Sequence, residues 1–333
     1  MSAPRTTFAL DGAELVSELF DAPSLDRLRE IVRLDEHIVS RADPRALTDA
    51  RDTEILITGW GAPALDAGML NALPRLRAVF HAAGSVKRVV SPELWKRGIR
   101  VSSSADANAV PVAEYTLAMI LLSAKRALDS AVAYRRTQDM SLARPHGDAG
   151  AFGITVGIVG ASRIGRRVLD LLRPFDITTV LYDPSLTATD AVALSTALVS
   201  LPDLLRVSDI VSLHAPSLPA TYRMLGAAEL ATMRDGATLI NTARGSLVDT
   251  DALVAELTTA RLRAVLDVTD PEPLPAGHPL FSAPGVTLTP HIAGSLGNEL
   301  RRMGSQTVDE IERFVTTGEL AFEVRHRDLA TIA

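Results

Sequence analysis

Short apolar runs bounded by turn residues alternate with stretches of helical period along the whole chain. Residues 6–10, 31–34, 55–58, 77–81 and 99–102 read as strands, and amphipathic stretches such as 12–20 and 66–73 lie between them. Such alternation predicts parallel βα units and a small doubly wound sheet. Beyond residue 102 the texture changes. Residues 108–136 predict one long helix whose first half is unusually apolar (Val112, Leu117, Ile120, Leu121), and a polar, glycine-containing stretch follows at 138–150. Six further strand candidates then appear at 154–159, 178–182, 209–213, 238–241, 264–266 and 286–289. Six parallel strands with intervening helices match the two mononucleotide-binding halves of a Rossmann sheet. The last helix, 296–317, carries Met303, Val308, Ile311 and Phe314 at helical spacing. Coming after the sixth strand, it is expected to return to the first sheet.

A length of 333 residues is large for one core, which again favours two domains. The expected fold is α/β: a Rossmann domain over 103–296 and a smaller, flavodoxin-like doubly wound domain, discontinuous in sequence, over 1–102 with 297–333. Apolar residues make up 47% and charged residues 22%, the profile of a soluble globular protein. A net charge of −6 offers no basic face to nucleic acid or acidic lipid. The absence of cysteine removes disulfides, a thiol nucleophile and thiolate-ligated zinc, and no metal is expected. The N-terminal residues lack the apolar stretch of a signal peptide. The most apolar helical stretch, about 115–124, is shorter than the ~18–20 residues that span a bilayer. A cytoplasmic protein without membrane or nucleic-acid partners is the expectation.

Gly157-Ile158-Val159-Gly160-Ala161-Ser162-Arg163-Ile164-Gly165 stands where the first strand of the second sheet hands over to a helix. It is a dinucleotide fingerprint with Ser162 in place of the middle glycine. Gly160 suits the tight turn, Gly165 suits close helix–strand packing, and the helix N-terminus suits a pyrophosphate. Asp183 ends the next strand, 23 residues after Gly160 (183 − 160), close to the spacing of the acid that binds a ribose 2′-OH. A carboxylate there favours NAD over NADP; the plainer reading is a turn aspartate before Pro184.

Ligands of open α/β sheets lie beyond the carboxyl ends of the strands. Those ends read Gly160, Asp183, His214, Thr242-Ala243-Arg244, Asp267 and Pro290-His291, too polar a set for a packing surface. The segments Asn241-Thr242-Ala243-Arg244-Gly245-Ser246-Leu247-Val248-Asp249, Leu266-Asp267-Val268-Thr269-Asp270-Pro271-Glu272-Pro273-Leu274 and Thr289-Pro290-His291-Ile292-Ala293-Gly294 resemble the three signatures of the D-isomer-specific 2-hydroxyacid dehydrogenases. Asn108-Ala109-Val110-Pro111-Val112-Ala113-Glu114 and Ser212-Leu213-His214-Ala215-Pro216 resemble that family too.

The resemblance implies NAD-dependent interconversion of a 2-keto acid and a D-2-hydroxy acid in a cleft between domains. Arg244 has the fork to hold carboxylate and carbonyl together, and His291 is of the residue type suited to passing a proton near neutral pH. Against them stand a surface arginine in an ion pair and six other histidines. His37, His146 and His326 lie in polar surroundings, His278 lies in a Pro/Gly loop, and His81 and His214 end strands. The resemblance gives Glu272 the second ring nitrogen of His291, Asp267 the nicotinamide carboxamide, and Thr242, Ala243, His214 and Gly294 the cofactor's surroundings. It gives Ala83 and Gly84 the substrate carboxylate, although Val86 replaces the usual second glycine of that loop. Trp60 is a pocket wall or simply core. Formate dehydrogenases carry glutamine where this chain has Glu272, which disfavours formate. Two alternatives share the residue set: a non-catalytic NAD-sensing interaction protein and a phosphite-type dehydrogenase. A homodimer is expected, with the apolar half of the 108–136 helix as its face.

Overall fold

The computed structural model describes residues 3–40, 50–145, 147, 149–330 and 332. They form two compact units, Met1–Ala109 with Ser295–Ile332 and Val110–Gly294.

In the first unit β1 (Arg5–Ala9), β2 (Arg33–Val39), β3 (Ile55–Thr58), β4 (Ala78–His81) and β5 (Arg100–Ser103) form a parallel sheet in the order β2-β1-β3-β4-β5. Its inner strands β3 and β4 are mostly apolar because both their faces are covered, whereas β2, at the sheet edge, carries Arg33, Asp35 and His37. Ile55, Ile57 and Phe80 join Phe8, Phe20 and Leu28 on one face, whereas Leu56 and Val79 join Leu70, Leu94 and Val101 on the other. The helix Leu300–Thr317 supplies Met303, Val308, Ile311 and Phe314 to the first of these layers.

The second unit holds β6 (Thr155–Val159), β7 (Thr178–Tyr182), β8 (Ala197–Leu198), β9 (Ile210–Leu213), β10 (Thr238–Asn241), β11 (Arg263–Leu266) and β12 (Val286–Leu288). All are parallel, in the order β12-β11-β10-β9-β6-β7-β8. The order reverses between β6 and β9, which makes a crevice at their carboxyl ends.

Four details differ from the expectations. A seventh strand, β8, closes the second sheet's edge; two residues are too few to leave a periodic signal. Ile31 belongs to the helix Ala22–Ile31 rather than to β2, because Leu25, Leu28 and Ile31 form one helical face toward the core. The last helix starts at Leu300, after a 3-10 turn over Gly297–Glu299. The long helix expected over 108–136 is two helices, Ala105–Ala124 and Ala127–Thr137. Between them Arg126 turns left-handed at φ 54, and the Ala124 carbonyl accepts from the Gly150 N–H at 2.8 Å instead of continuing the ladder.

The Ala105–Ala124 helix also corrects the estimate of apolar length. Its 20 residues, with mean hydropathy 1.3, are long and apolar enough to cross a membrane by length and composition. Ala113, Ile120 and Ala124, at helical spacing, instead pack into the core of the second unit with Ile158, Ile240 and Val265. Of the apolar residues expected at a dimer face, Val112 and Ile120 are buried, whereas Leu117 and Leu121 are only partly so.

Candidate active site

Three neighbouring strands, β10, β11 and β12, end on one edge of the second sheet. After β10 the Asn241 side chain curls the loop: its Oδ1 accepts from the Ala243 N–H at 3.0 Å and its Nδ2 donates to the Arg244 carbonyl at 2.8 Å. Gly245 follows because nothing larger fits. A Cβ there would lie 2.0 Å from the Thr269 carbonyl carbon and 2.5 Å from the Asp270 nitrogen. The Arg244 turn is therefore pressed against the segment that leads to Glu272. Arg244 Nη1 donates to the Ala243 carbonyl at 2.6 Å. Thr242 and Ala243 are buried beneath it.

After β11, Asp267 is only 2% exposed, and three donors bond its carboxylate. Oδ1 accepts from Thr289 Oγ1 at 2.6 Å and the Ile292 N–H at 2.8 Å, and Oδ2 accepts from the Ala293 N–H at 2.9 Å. A carboxylate offers about four acceptor positions, so one remains. That remainder fits a single further donor such as a carboxamide N–H.

After β12, His291 stands in the left-handed region at φ 56. Its N–H donates to the carbonyls of Asp267 and Thr289, both at 3.0 Å. Its Nδ1 lies 2.7 Å from Glu272 Oε1. The two side chains are 53% and 44% exposed. An ion pair that open contributes about 0–1 kcal/mol to stability. The pair is thus open to solvent and within reach of a ligand at the strand ends. With Nδ1 bonded to the carboxylate, Nε2 is the nitrogen left for chemistry.

The turn after β6 explains the serine in the fingerprint. Ser162 is the N-cap of the helix Arg163–Leu172 and accepts from the Gly165 N–H at 3.3 Å. Gly160 takes φ 98, and a Cβ on Gly165 would lie 2.1 Å from the Gly160 carbonyl oxygen. The strand-to-helix approach is thus as close as a dinucleotide turn requires, and Arg163 and Ile164 open the helix at its positive end. Asp183 braces the turn: Oδ2 accepts from the Ala161 N–H at 2.8 Å, and Oδ1 from the Ser185 N–H and hydroxyl at 2.9 and 2.6 Å. It too keeps about one acceptor position free for a hydroxyl.

His214 lies under this turn, buried, with Nε2 2.9 Å from Ser212 Oγ and Nδ1 without a partner. His81, also buried, has Nδ1 2.9 Å from Thr58 Oγ1. Burial lowers His214 to about 3 and His81 to about 4. Both are neutral near pH 7 and poor proton donors. His37 and His326 are exposed and His278 is half-buried; His326 packs against Trp95 and His278 caps a 3-10 turn. His146 lies outside the described residues.

The two buried histidines carry a prediction. Each is protonated in the unfolded chain below about pH 6.5 but stays neutral in the folded state until about 4 and 3. The unfolded state binds more protons in that window, so stability is full above 6.5 and falls as pH drops, by about 3 kcal/mol per group at pH 4. Thermal melts from pH 7.5 to 4 should show His81→Gln losing less Tm on acidification than the parent. Parallel losses would exclude His81 as a source.

In the first unit, Ala83 is buried, and a Cβ on Gly84 would stand 3.2 Å from Asn108 Nδ2. Val86, the departure from the expected second glycine, fills the core beside Val79 and Val101. Trp60, just after β3, is 45% exposed. Gly294 ends the second unit. A cavity of about 540 Å³ in the second unit opens near the starts of β6, β9 and β10 and contains none of the candidate residues. Sequence reading missed Asn241, Tyr115, Thr116 and Thr289 as parts of the site. Asn241 and Thr289 flank Arg244 and His291 in the quoted segments, but only the fold reveals their bonds.

Residues 117–293 match the family described as D-isomer specific 2-hydroxyacid dehydrogenase, NAD binding domain. The chain is 32% identical over 295 residues to a glyoxylate reductase of Thermofilum pendens, covering 86% of this chain and 87% of that protein. It is 32% identical over 318 residues to a D-3-phosphoglycerate dehydrogenase of Mycobacterium tuberculosis, covering 95% of this chain but 56% of that protein; it thus spans about half the length of such relatives. The holo form of Rhodotorula graminis D-mandelate dehydrogenase superposes with a TM-score of 0.81 at 25% identity, over 97% of this chain and 98% of that one. With the parallel sheets and the nicotinamide-cofactor domain they define, these likenesses make the chain a member of the D-isomer-specific 2-hydroxyacid dehydrogenase family.

Proposed function

We propose that the protein is an NAD-dependent oxidoreductase that interconverts a 2-keto acid and a D-2-hydroxy acid. The observation that supports this most is the Glu272–His291 bond of 2.7 Å on the strand-end edge that also presents Arg244. The second unit is assigned the dinucleotide, through Gly160, Ser162, Arg163, Ile164, Gly165, Asp183, His214, Thr242, Ala243, Asp267 and Gly294. The first is assigned the substrate-domain role, through Ala83, Gly84 and Trp60.

When bound, the nicotinamide gives a hydride to the substrate carbonyl carbon or takes one from the alcohol carbon. The remaining work falls to side chains. Arg244 holds the carboxylate and polarises the carbonyl oxygen with a charge it cannot lose. The His291 imidazolium keeps one proton on Nδ1 toward Glu272 and passes the other from Nε2 to the carbonyl oxygen as C=O becomes CH–OH. In the opposite direction neutral Nε2 takes the hydroxyl proton. A hydride and a proton together complete each reduction.

Asp183 favours NAD, since a 2′-phosphate would meet its carboxylate. Exposed Val132, Tyr134, Met140 and Leu142 on the helices Ala127–Thr137 and Met140–Ala143 support pairing of two copies. Both points are tested on one preparation. NADH oxidation across glyoxylate, pyruvate, hydroxypyruvate and bulkier keto acids should show turnover, at least tenfold better with NADH than NADPH. Light scattering should give twice the 35.5 kDa chain mass. Tight NADH binding without turnover on any acid would defeat the enzymatic reading, and a chain-mass value would defeat the dimer.

A further inference from the structure

Two consecutive residues of the Ala105–Ala124 helix each hold a different site loop. Tyr115 Oη lies 2.8 Å from Thr289 Oγ1, and Thr116 Oγ1 lies 3.0 Å from Thr242 Oγ1. The direction of both bonds follows from counting protons. The Thr289 hydroxyl has one, and it goes to the Asp267 carboxylate, which can only accept. Tyr115 must therefore donate to Thr289. Thr116 spends its proton on the Val112 carbonyl at 2.7 Å, so Thr242 donates to Thr116.

The first chain runs Tyr115, Thr289, Asp267, then the N–H groups of Ile292 and Ala293, which enclose His291. The second runs Val112, Thr116, Thr242, directly before the Ala243–Arg244 turn. Thr116 and Thr242 are buried, out of competition with water. Tyr115 is half-buried, and burial raises its phenol above the usual value, so the donating form persists through the physiological range.

We propose that Tyr115 and Thr116 are positioning residues that form a two-point clamp: one helical step fixes the His291 loop and the Arg244 loop relative to each other. This rests on the reading in which His291 and Arg244 act on one substrate. Neither residue needs to touch substrate. Proton transfer and carboxylate binding must meet on the same small molecule, and misplacement of either group costs rate.

The test pairs an activity-independent readout with a kinetic one. Hydrogen exchange in the full chain should quicken over residues 289–294 in Tyr115→Phe and over 241–245 in Thr116→Val, each variant leaving the other segment at parental rates. Per folded active site, Tyr115→Phe should lower kcat on the best keto acid about five- to tenfold, the scale of one lost hydrogen bond, with the NADH KM within twofold. Thr289→Val, which also removes the donor to Asp267, should be at least as damaging, the double variant should be no worse than Thr289→Val alone, and Thr289→Ser, which keeps the hydroxyl, should stand nearer the parent. A tether needed only for folding would lower Tm and leave kcat per folded site alone. Unchanged exchange in both segments overturns the clamp whether or not the enzyme turns over, as does an unchanged kcat per site. A parent without turnover overturns the functional reading alone, because the exchange results still decide the clamp.

Discussion

His291→Gln should lower kcat/KM for keto-acid reduction by about 10²–10⁴, the usual contribution of a positioned acid or base. Glutamine fills similar space and can still donate an amide N–H toward Glu272, so the loop should keep its shape. It has no proton to transfer near neutral pH. Because His291 lies outside the dinucleotide turn, NADH affinity measured by fluorescence titration should stay within about twofold, a change of roughly 0.4 kcal/mol. Stopped-flow measurement with reduced substrate and NAD should show the same loss in the oxidising direction, since one nitrogen serves both. A variant within tenfold of the parent in both directions would remove His291 from the chemistry.

Arg244→Gln should bring a loss of comparable scale. Removing one partner of a desolvated charge pair costs about 2–5 kcal/mol, which corresponds to roughly 30- to 5,000-fold in kcat/KM. KM for the keto acid should rise, because the ground-state carboxylate is held by the same fork. Arg244→Lys separates charge from geometry. It keeps a cation but loses the planar pair of donors, so it should recover only part of the loss. Full activity in the lysine variant would mean that a point charge suffices and that the carboxylate is oriented by other groups. Hydrogen exchange over residues 241–245 guards against a trivial cause, since Asn241 and Gly245 shape that turn independently of the side chain they flank.

What the chain reveals before folding depends on how local the physics is. β3 and β10 are four-residue strands buried at every position around an apolar centre, Ile55-Leu56-Ile57 and Leu239-Ile240, and such a centre is visible in any window. β8 is not, because its two residues are defined by pairing with β7. The break at Arg126 has no glycine or proline between the two helices; it depends on the Gly150 N–H taking the Ala124 carbonyl, a partner 26 residues away (150 − 124). The same division runs through the candidate site. Arginine, glutamate and histidine stand out by type and neighbours, and Gly245 by its segment. Tyr115 and Thr116 look like ordinary members of an apolar helix, and only three-dimensional proximity to Thr289 and Thr242 gives their hydroxyls a purpose. Ser162 shows the converse: it reads as a damaged fingerprint until the helix is seen to begin on it.

The return of the last helix to the first unit sets the order in which the chain can mature on the ribosome. Phe8, Phe80 and their neighbours are made early, yet the side chains that cover them, Met303, Val308, Ile311 and Phe314, come after the whole Val110–Gly294 unit. At about 5–20 residues per second that delay is roughly ten to forty seconds. Throughout it that layer has over the sheet only what the early helices supply, Leu19, Phe20 and Leu28 among them, and stays incomplete. The Val110–Gly294 unit has no such wait, because the residues of its core all lie within its own continuous span.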